Sequence, residues 1–147
     1  MHVTPALRSD LPRIHEMICA LSAFHGDEAT VTMERLEDVL FTSGLSTAFV
    51  AREGDALIGY AGLNFTTEIH SGRTRIDIHH LFIEENHRAK GVGRALITTA
   101  KELGRAQGAK GVTIVTAPNN ETAQAAYRAM GLKEITDAGP RFWIPVD

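Results

Sequence analysis

The sequence predicts an α/β domain built on a central mixed, mostly antiparallel sheet flanked by helices, and three observations lead there. Strand-like runs rich in β-branched and aromatic residues alternate with stretches whose apolar residues recur at helical spacing. Turn signals at Glu53-Gly54-Asp55 and over residues 68–72 join three strands in succession. At 147 residues and 44% hydrophobic content, the chain is expected to be one domain, residues 1–147, able to bury a core without disulfides or metal.

The expected order is β-α-α-β-β-β-α-β-α-β. Residues 2–8 read as a first strand, with Pro5 tolerable only near an edge. Asp10 is the expected cap of a helix with Leu11, Ile14, Ile18, Leu21 and Phe24 along one face, Pro12 in its first turn and Gly26 closing it. A second helix begins near Thr32, buries Met33, Leu36, Val39 and Leu40, and stops by Gly44. Residues 47–52, 56–66 and 73–83 are strands. Val92, Leu96, Ala100 and Leu103 mark a third helix, residues 112–117 a buried strand, and residues 120–132 a helix ended by glycine. After a Gly139-Pro140 break, Arg141, Phe142, Trp143 and Ile144 read as a last strand. No internal repeat, low-complexity stretch or linker interrupts this order.

Composition narrows the partners. The formal charge is −3 and the basic residues are not massed into runs, which argues against nucleic acid as the main partner. Cys19 is the only cysteine, so an internal disulfide and a cysteine-based zinc site are excluded. No apolar run approaches the roughly 18 residues of a membrane span, and the first residues carry no signal-peptide pattern; a soluble, cytoplasmic protein is expected.

The chemistry-bearing segment is Arg88-Ala89-Lys90-Gly91-Val92-Gly93-Arg94, where a strand hands over to a helix. Gly91 and Gly93 let backbone approach a ligand, and a helix start offers unpaired N–H groups to an anion, so a pyrophosphate fits. A Walker A loop would need Lys-Ser or Lys-Thr after the last glycine, where Arg94 stands; a dinucleotide fingerprint would need a third glycine where Leu96 stands. Arg-x-x-Gly-x-Gly after a hydrophobic strand resembles the acetyl-coenzyme A loop of the GNAT superfamily of N-acetyltransferases. A second signature of that family is similar to Asn120, Ala123, Tyr127 and Gly131-Leu132. Asn64-Phe65-Thr66, Leu21-Ser22-Ala23-Phe24 and the closing Arg141-Phe142-Trp143-Ile144 resemble its diamine and thialysine acetyltransferase branch.

That resemblance implies acetyl-CoA as cosubstrate, without metal, and transfer of an acetyl group to the primary amine of a small molecule. It implies pyrophosphate binding by the backbone of Ala89 to Arg94, with the side chains of Arg88, Lys90 and Arg94 adding salt-screened attraction. It also implies backbone contacts from Leu81, Phe82 and Ile83 on a splayed strand, a pantetheine contact at Asn120 with the small Ala123 beside it, and Tyr127 as the acid that protonates the leaving thiolate. His79 and His80 stand where the branch usually carries an acidic pair, which places His79 as the base and disfavours polyamines. Alternatives stay open: Tyr127 as a core aromatic, His79 as a strand histidine bonded to a carbonyl, and Arg88, Lys90 and Arg94 as solvated residues. Because side chains alternate along a strand, His79 and His80 are expected to face opposite ways unless a bulge intervenes, which argues against a metal site. Cys19 reads as a packing residue without a His-Asp arrangement, and Asp27 and Glu28 as a solvated loop or an ammonium site. The rival functions are a non-catalytic acyl-CoA-binding or regulatory module and acetylation of protein N-termini or lysines; a homodimer is left open.

Overall fold

The computed structural model of the chain describes residues 1–146. They fall into two compact units, Met1–Val115 and the residues from Thr116 onward. The first holds strands β1 (His2–Pro5), β2 (Ser46–Glu53), β3 (Ala56–Glu68), β4 (Arg73–Ile83) and β5 (Gly111–Ile114), with helices α1 (Leu11–Phe24), α2 (Met33–Glu37) and α3 (Val92–Ala106). The second holds α4 (Glu121–Ala129).

The five strands lie side by side in chain order. β1 to β4 pair antiparallel, and β5 joins β4 in parallel. A parallel step requires a crossover, and α3 provides it. Alternation along the strands divides the core. One set of side chains, including Phe49, Ile58, Leu63, Ile76 and Ile78, packs with Val92, Leu96 and Ala100 of α3. The other, Val50, Tyr60 and Phe82, packs with Leu11, Ile14, Met17 and Ile18 of α1 and Leu36 of α2. Close seating of α3 depends on Gly59, where a Cβ would stand 2.8 Å from the carbonyl oxygen of Phe82 and 3.4 Å from Val92 Cγ1.

Several expectations need correction. Asp10 does not cap α1 with its side chain, because a 3-10 turn over Arg8–Asp10 runs directly into the helix. Its buried carboxylate instead accepts from the Leu7 N–H at 2.8 Å and from Arg52 Nη2 at 2.5 Å. Of the expected α2 stripe, Leu36 is buried and Leu40 packs against the same core, whereas Met33 is 39% exposed, and the helix passes into a π-helical turn over Asp38–Thr42 that changes the residue spacing. Met17 joins the α1 core, whereas Phe24 is 64% exposed beyond it, its ring 6.0 Å from the Arg88 guanidinium. β1 and β5 are shorter than expected.

The last strand is absent from the described residues. Arg141, Phe142, Trp143 and Ile144 carry no regular structure, with Phe142 87% and Trp143 88% exposed. A short apolar run becomes a strand only where a neighbouring edge accepts its backbone hydrogen bonds, and the described residues from Thr116 onward form no strand of their own.

Candidate functional site

The glycine-rich segment is built as the sequence suggests. β4 ends at Ile83, a 3-10 turn spans Glu85–His87, and α3 starts at Val92. Gly91 caps the helix with φ +86°, a conformation that costs any other L-residue a steric penalty. Ala89 has φ 59° and is the one non-glycine residue at positive φ among those described. Such backbone strain collects at functional turns, because only surrounding structure can hold it. The first hydrogen bond of α3 runs from Ala95 N–H to the Gly91 carbonyl at 3.0 Å, so the N–H groups of Val92, Gly93 and Arg94 lie ahead of the helical ladder. Lys90 and Arg94 are exposed, while Arg88 Nε donates to the Ile83 carbonyl at 3.1 Å and ties the turn to the end of β4.

β4 leads into this cradle with one edge open. Its ladder to β5 covers Arg75 to Ile78 and is followed only by a long contact from Val115 N–H to the Ile78 carbonyl at 3.5 Å. From His79 to Ile83 its strand neighbour among the described residues is β3 alone. Leu81, Phe82 and Ile83, opposite Ala61, Tyr60 and Gly59, therefore present an unpaired strand edge beside the cradle.

The bulge that would overturn strict alternation is present. Gly62 pairs with His80 but Leu63 pairs with Ile78, which leaves His79 as the extra residue on β4. The two imidazoles consequently lie face to face, with centroids 4.9 Å apart and planes 12° from parallel, so the expectation of opposite faces is corrected. His79 is exposed, whereas His80 is half-buried and its Nδ1 lies 2.7 Å from the Tyr60 hydroxyl. Burial first, then the nearby imidazoles of His79 and His25, hold His80 below the ordinary histidine range. Tyr60 went unnoticed in the sequence. Tyr60 follows Gly59 in an apolar strand run, and nothing local reveals its partner twenty residues away.

Cys19 does have a histidine beside it. His15, one turn earlier in α1, places Nδ1 3.8 Å from Cys19 Sγ and binds the Val31 carbonyl through Nε2 at 2.9 Å. The pair ties α1 to the loop before α2.

In the second unit, Asn120 caps α4: its Oδ1 accepts from the Ala123 N–H at 3.2 Å. Gln124 Nε2 donates to the carbonyls of Ala117 and Pro118 and fixes the approach to the helix. Gly131, at φ +83°, closes it, with the Leu132 N–H donating to the Tyr127 carbonyl at 3.0 Å. Tyr127 is half-buried, and burial raises its phenol above the ordinary range.

Residues 13–132, which include the cradle, the open β4 edge and α4, match the model of the acetyltransferase (GNAT) family. The chain belongs to the GNAT family. It is 31% identical to rat N-acetyltransferase 8B over 110 residues, 75% of this chain and 47% of that protein. It is 29% identical to human N-acetyltransferase 8 over 89 residues, 60% of this chain and 39% of the relative. The chain thus spans about half the length, or less, of these curated relatives. Among solved structures, a probable acetyltransferase superposes with a TM-score of 0.85 at 20% identity, covering 100% of this chain and 99% of that one. An aminoglycoside acetyltransferase from an uncultured soil metagenomic sample superposes at 0.82 with 18% identity, over 97% and 95% of the two chains. These superpositions establish the GNAT fold for the mixed sheet and its helices. No helix among the described residues is long and apolar enough to cross a membrane.

Proposed function

We propose that this GNAT domain, residues 1–147, is an acetyl-CoA-dependent N-acetyltransferase that moves an acetyl group directly to the primary amine of a small molecule, an amino acid or amine. The observation that carries the reading is the conjunction of the cradle at Ala89 to Arg94 with the open edge of β4 beside it.

The residues present fit acetyl-CoA. The N–H groups at the start of α3 suit its pyrophosphate, with Lys90 and Arg94 adding charge, and Leu81, Phe82 and Ile83 offer backbone groups to the pantetheine amides. In this reading the Asn120 amide also meets pantetheine, and Ala123 keeps the neighbouring position small. Bound acetyl-CoA supplies a thioester carbon: the amine nitrogen bonds to it as the carbon–sulfur bond breaks. The chain's own residues handle the protons. His79, exposed beside the open edge, takes the proton leaving the amine, and Tyr127 gives one to the departing thiolate. Burial favours the neutral phenol that this role requires.

The acceptor is a small amine in the cytoplasm, and the reaction as written needs neither metal, nucleic acid nor membrane. The likeness to the diamine and thialysine branch is kept for the small-amine class. Polyamines are disfavoured, because His79 and His80 replace a carboxylate pair that would attract a polycation.

Thiol release from acetyl-CoA by purified protein, measured against polyamines, lysine analogues, other amino acids, aminoglycosides and short peptides, tests the proposal. Turnover confined to small amines is expected. Turnover confined to peptides would move the acceptor to protein N-termini or lysines; acetyl-CoA binding without turnover would indicate a non-catalytic module.

A further inference from the structure

Two histidines stand together on β4, and their surroundings make them chemically unequal. The difference begins at Tyr60, which is 2% exposed and packed against the α1 side chains of the core. For packing alone a phenylalanine would serve, so the hydroxyl is what needs explaining. A buried hydroxyl is almost always hydrogen-bonded. The Tyr60 hydroxyl meets His80 Nδ1 at 2.7 Å, across the gap left by Gly62, and that ring nitrogen is its one hydrogen-bond partner among the described residues.

The direction of that bond follows from the chemistry of the two groups. Burial raises the Tyr60 phenol far above neutrality, so it carries its hydrogen. A hydroxyl with one hydrogen and one neighbouring acceptor donates to it. Were Nδ1 the protonated nitrogen, it would donate to the phenol oxygen and leave the buried phenol hydrogen without an acceptor among the described residues. Nδ1 is therefore the acceptor, and a neutral imidazole that accepts at Nδ1 carries its hydrogen at Nε2. The doubly protonated ring is disfavoured first by burial, then by His79 and His25 nearby. His79 is placed differently: it is the bulged residue, exposed, and makes no side-chain hydrogen bond among the described residues.

We propose that Tyr60 is a positioning residue that locks His80 as the Nε2–H tautomer, making His80 a fixed hydrogen-bond donor at the acyl-transfer site and leaving His79 as the imidazole that accepts the amine proton. The inference rests on the acetyltransferase reading above. A base needs an unoccupied lone pair, which His80 lacks toward the substrate, whereas a preorganised N–H suits the thioester oxygen as negative charge develops on it. The proton released by nitrogen passes to His79 and then to solvent, the carbon–nitrogen bond replaces the carbon–sulfur bond, and the thiolate is protonated by Tyr127. His80 neither gains nor loses a proton.

The test combines ring nitrogen spectroscopy with kinetics. In protein carrying 15N-labelled histidine at neutral pH, the signals lost in His80→Gln identify His80. Their pattern should show Nε2 protonated and Nδ1 bare, and Tyr60→Phe should convert it to a tautomer mixture. Tyr60→Phe should lower kcat about tenfold with little change in the KM for acetyl-CoA, while His80→Ala loses about a hundredfold, the scale of one lost oxyanion donor. His80→Gln, whose amide N–H stands near the Nε2–H position, should recover about tenfold of that loss. A wild-type ring protonated at Nδ1 would overturn the proposal. So would a Tyr60→Phe protein whose tautomer changes at unaltered kcat, or a glutamine variant no better than alanine. If wild-type protein acetylates no amine, the division of labour falls with the functional reading; the spectrum, recorded without substrate, distinguishes that failure from a wrong tautomer.

Discussion

Tyr127→Phe removes only a hydroxyl from a half-buried ring, so it separates packing from proton transfer. The proposed acid role predicts a fall in kcat of about a hundredfold or more at saturating acetyl-CoA, the range of general-acid contributions. Because burial raises the phenol, wild-type turnover should not decline from loss of this acid below about pH 10, where an ordinary tyrosine titrates. Unchanged kcat in the variant would leave Tyr127 as a core aromatic. A second residue pair governs stability. Asp10 and Arg52 have side chains only 7% and 19% exposed, so Arg52→Met strands a carboxylate held by little more than the Leu7 N–H. Denaturant unfolding should show a loss of about 3 kcal/mol, the scale of a broken buried pair. A loss under about 1 kcal/mol would mean that water reaches the pair as it does on a surface.

At the scale of elements, the pyrophosphate cradle proposed at Ala89 to Arg94 draws on backbone conformation more than on side-chain charge. A Cβ at Gly91 would meet no atom within 4 Å, so substitution there acts through φ alone. Gly91→Ala is expected to weaken acetyl-CoA binding about tenfold, since holding an L-residue in the left-handed region costs roughly 1–2 kcal/mol. Calorimetric titration with acetyl-CoA checks this, and equal affinity would show that the turn does not grip the ligand. The cradle and the strands leading to it were legible in the sequence because each rests on short-range pattern: a strand run, glycines at fixed spacing, a helical stripe. Asp10 shows the limit of such reasoning. Its position before a helix suggests a cap, but its charge is claimed by Arg52, forty-two residues away in β2.

For the whole molecule, His80 couples folding to pH. In the unfolded chain an imidazole takes up a proton at about pH 6.5, whereas in the fold burial, His79 and His25 hold His80 lower. Between those two values the unfolded state binds more protons, so stability declines as pH falls. Thermal unfolding should show a Tm nearly constant above about pH 7 and falling on acidification below about 6.5. His80→Gln should flatten part of that fall. If it leaves the acid dependence untouched, the coupling resides in other groups.

By itself the sequence determined the local content of this protein: which runs become strands, where α1, α3 and α4 lie, and a glycine-rich turn of GNAT form between β4 and α3. Periodicity and turn chemistry are properties of neighbouring residues, so they can be read without the fold. Tertiary structure decided what depends on partners. The bulge that stacks His79 on His80 exists because Leu63 pairs with Ile78 rather than His79, a register set by burial on the two faces of the sheet. The Tyr60–His80 bond joins two strands through the core. The run Phe142-Trp143-Ile144 has strand-forming residues but no regular structure, because side-chain propensity alone does not make a strand, which needs a partner for its backbone groups.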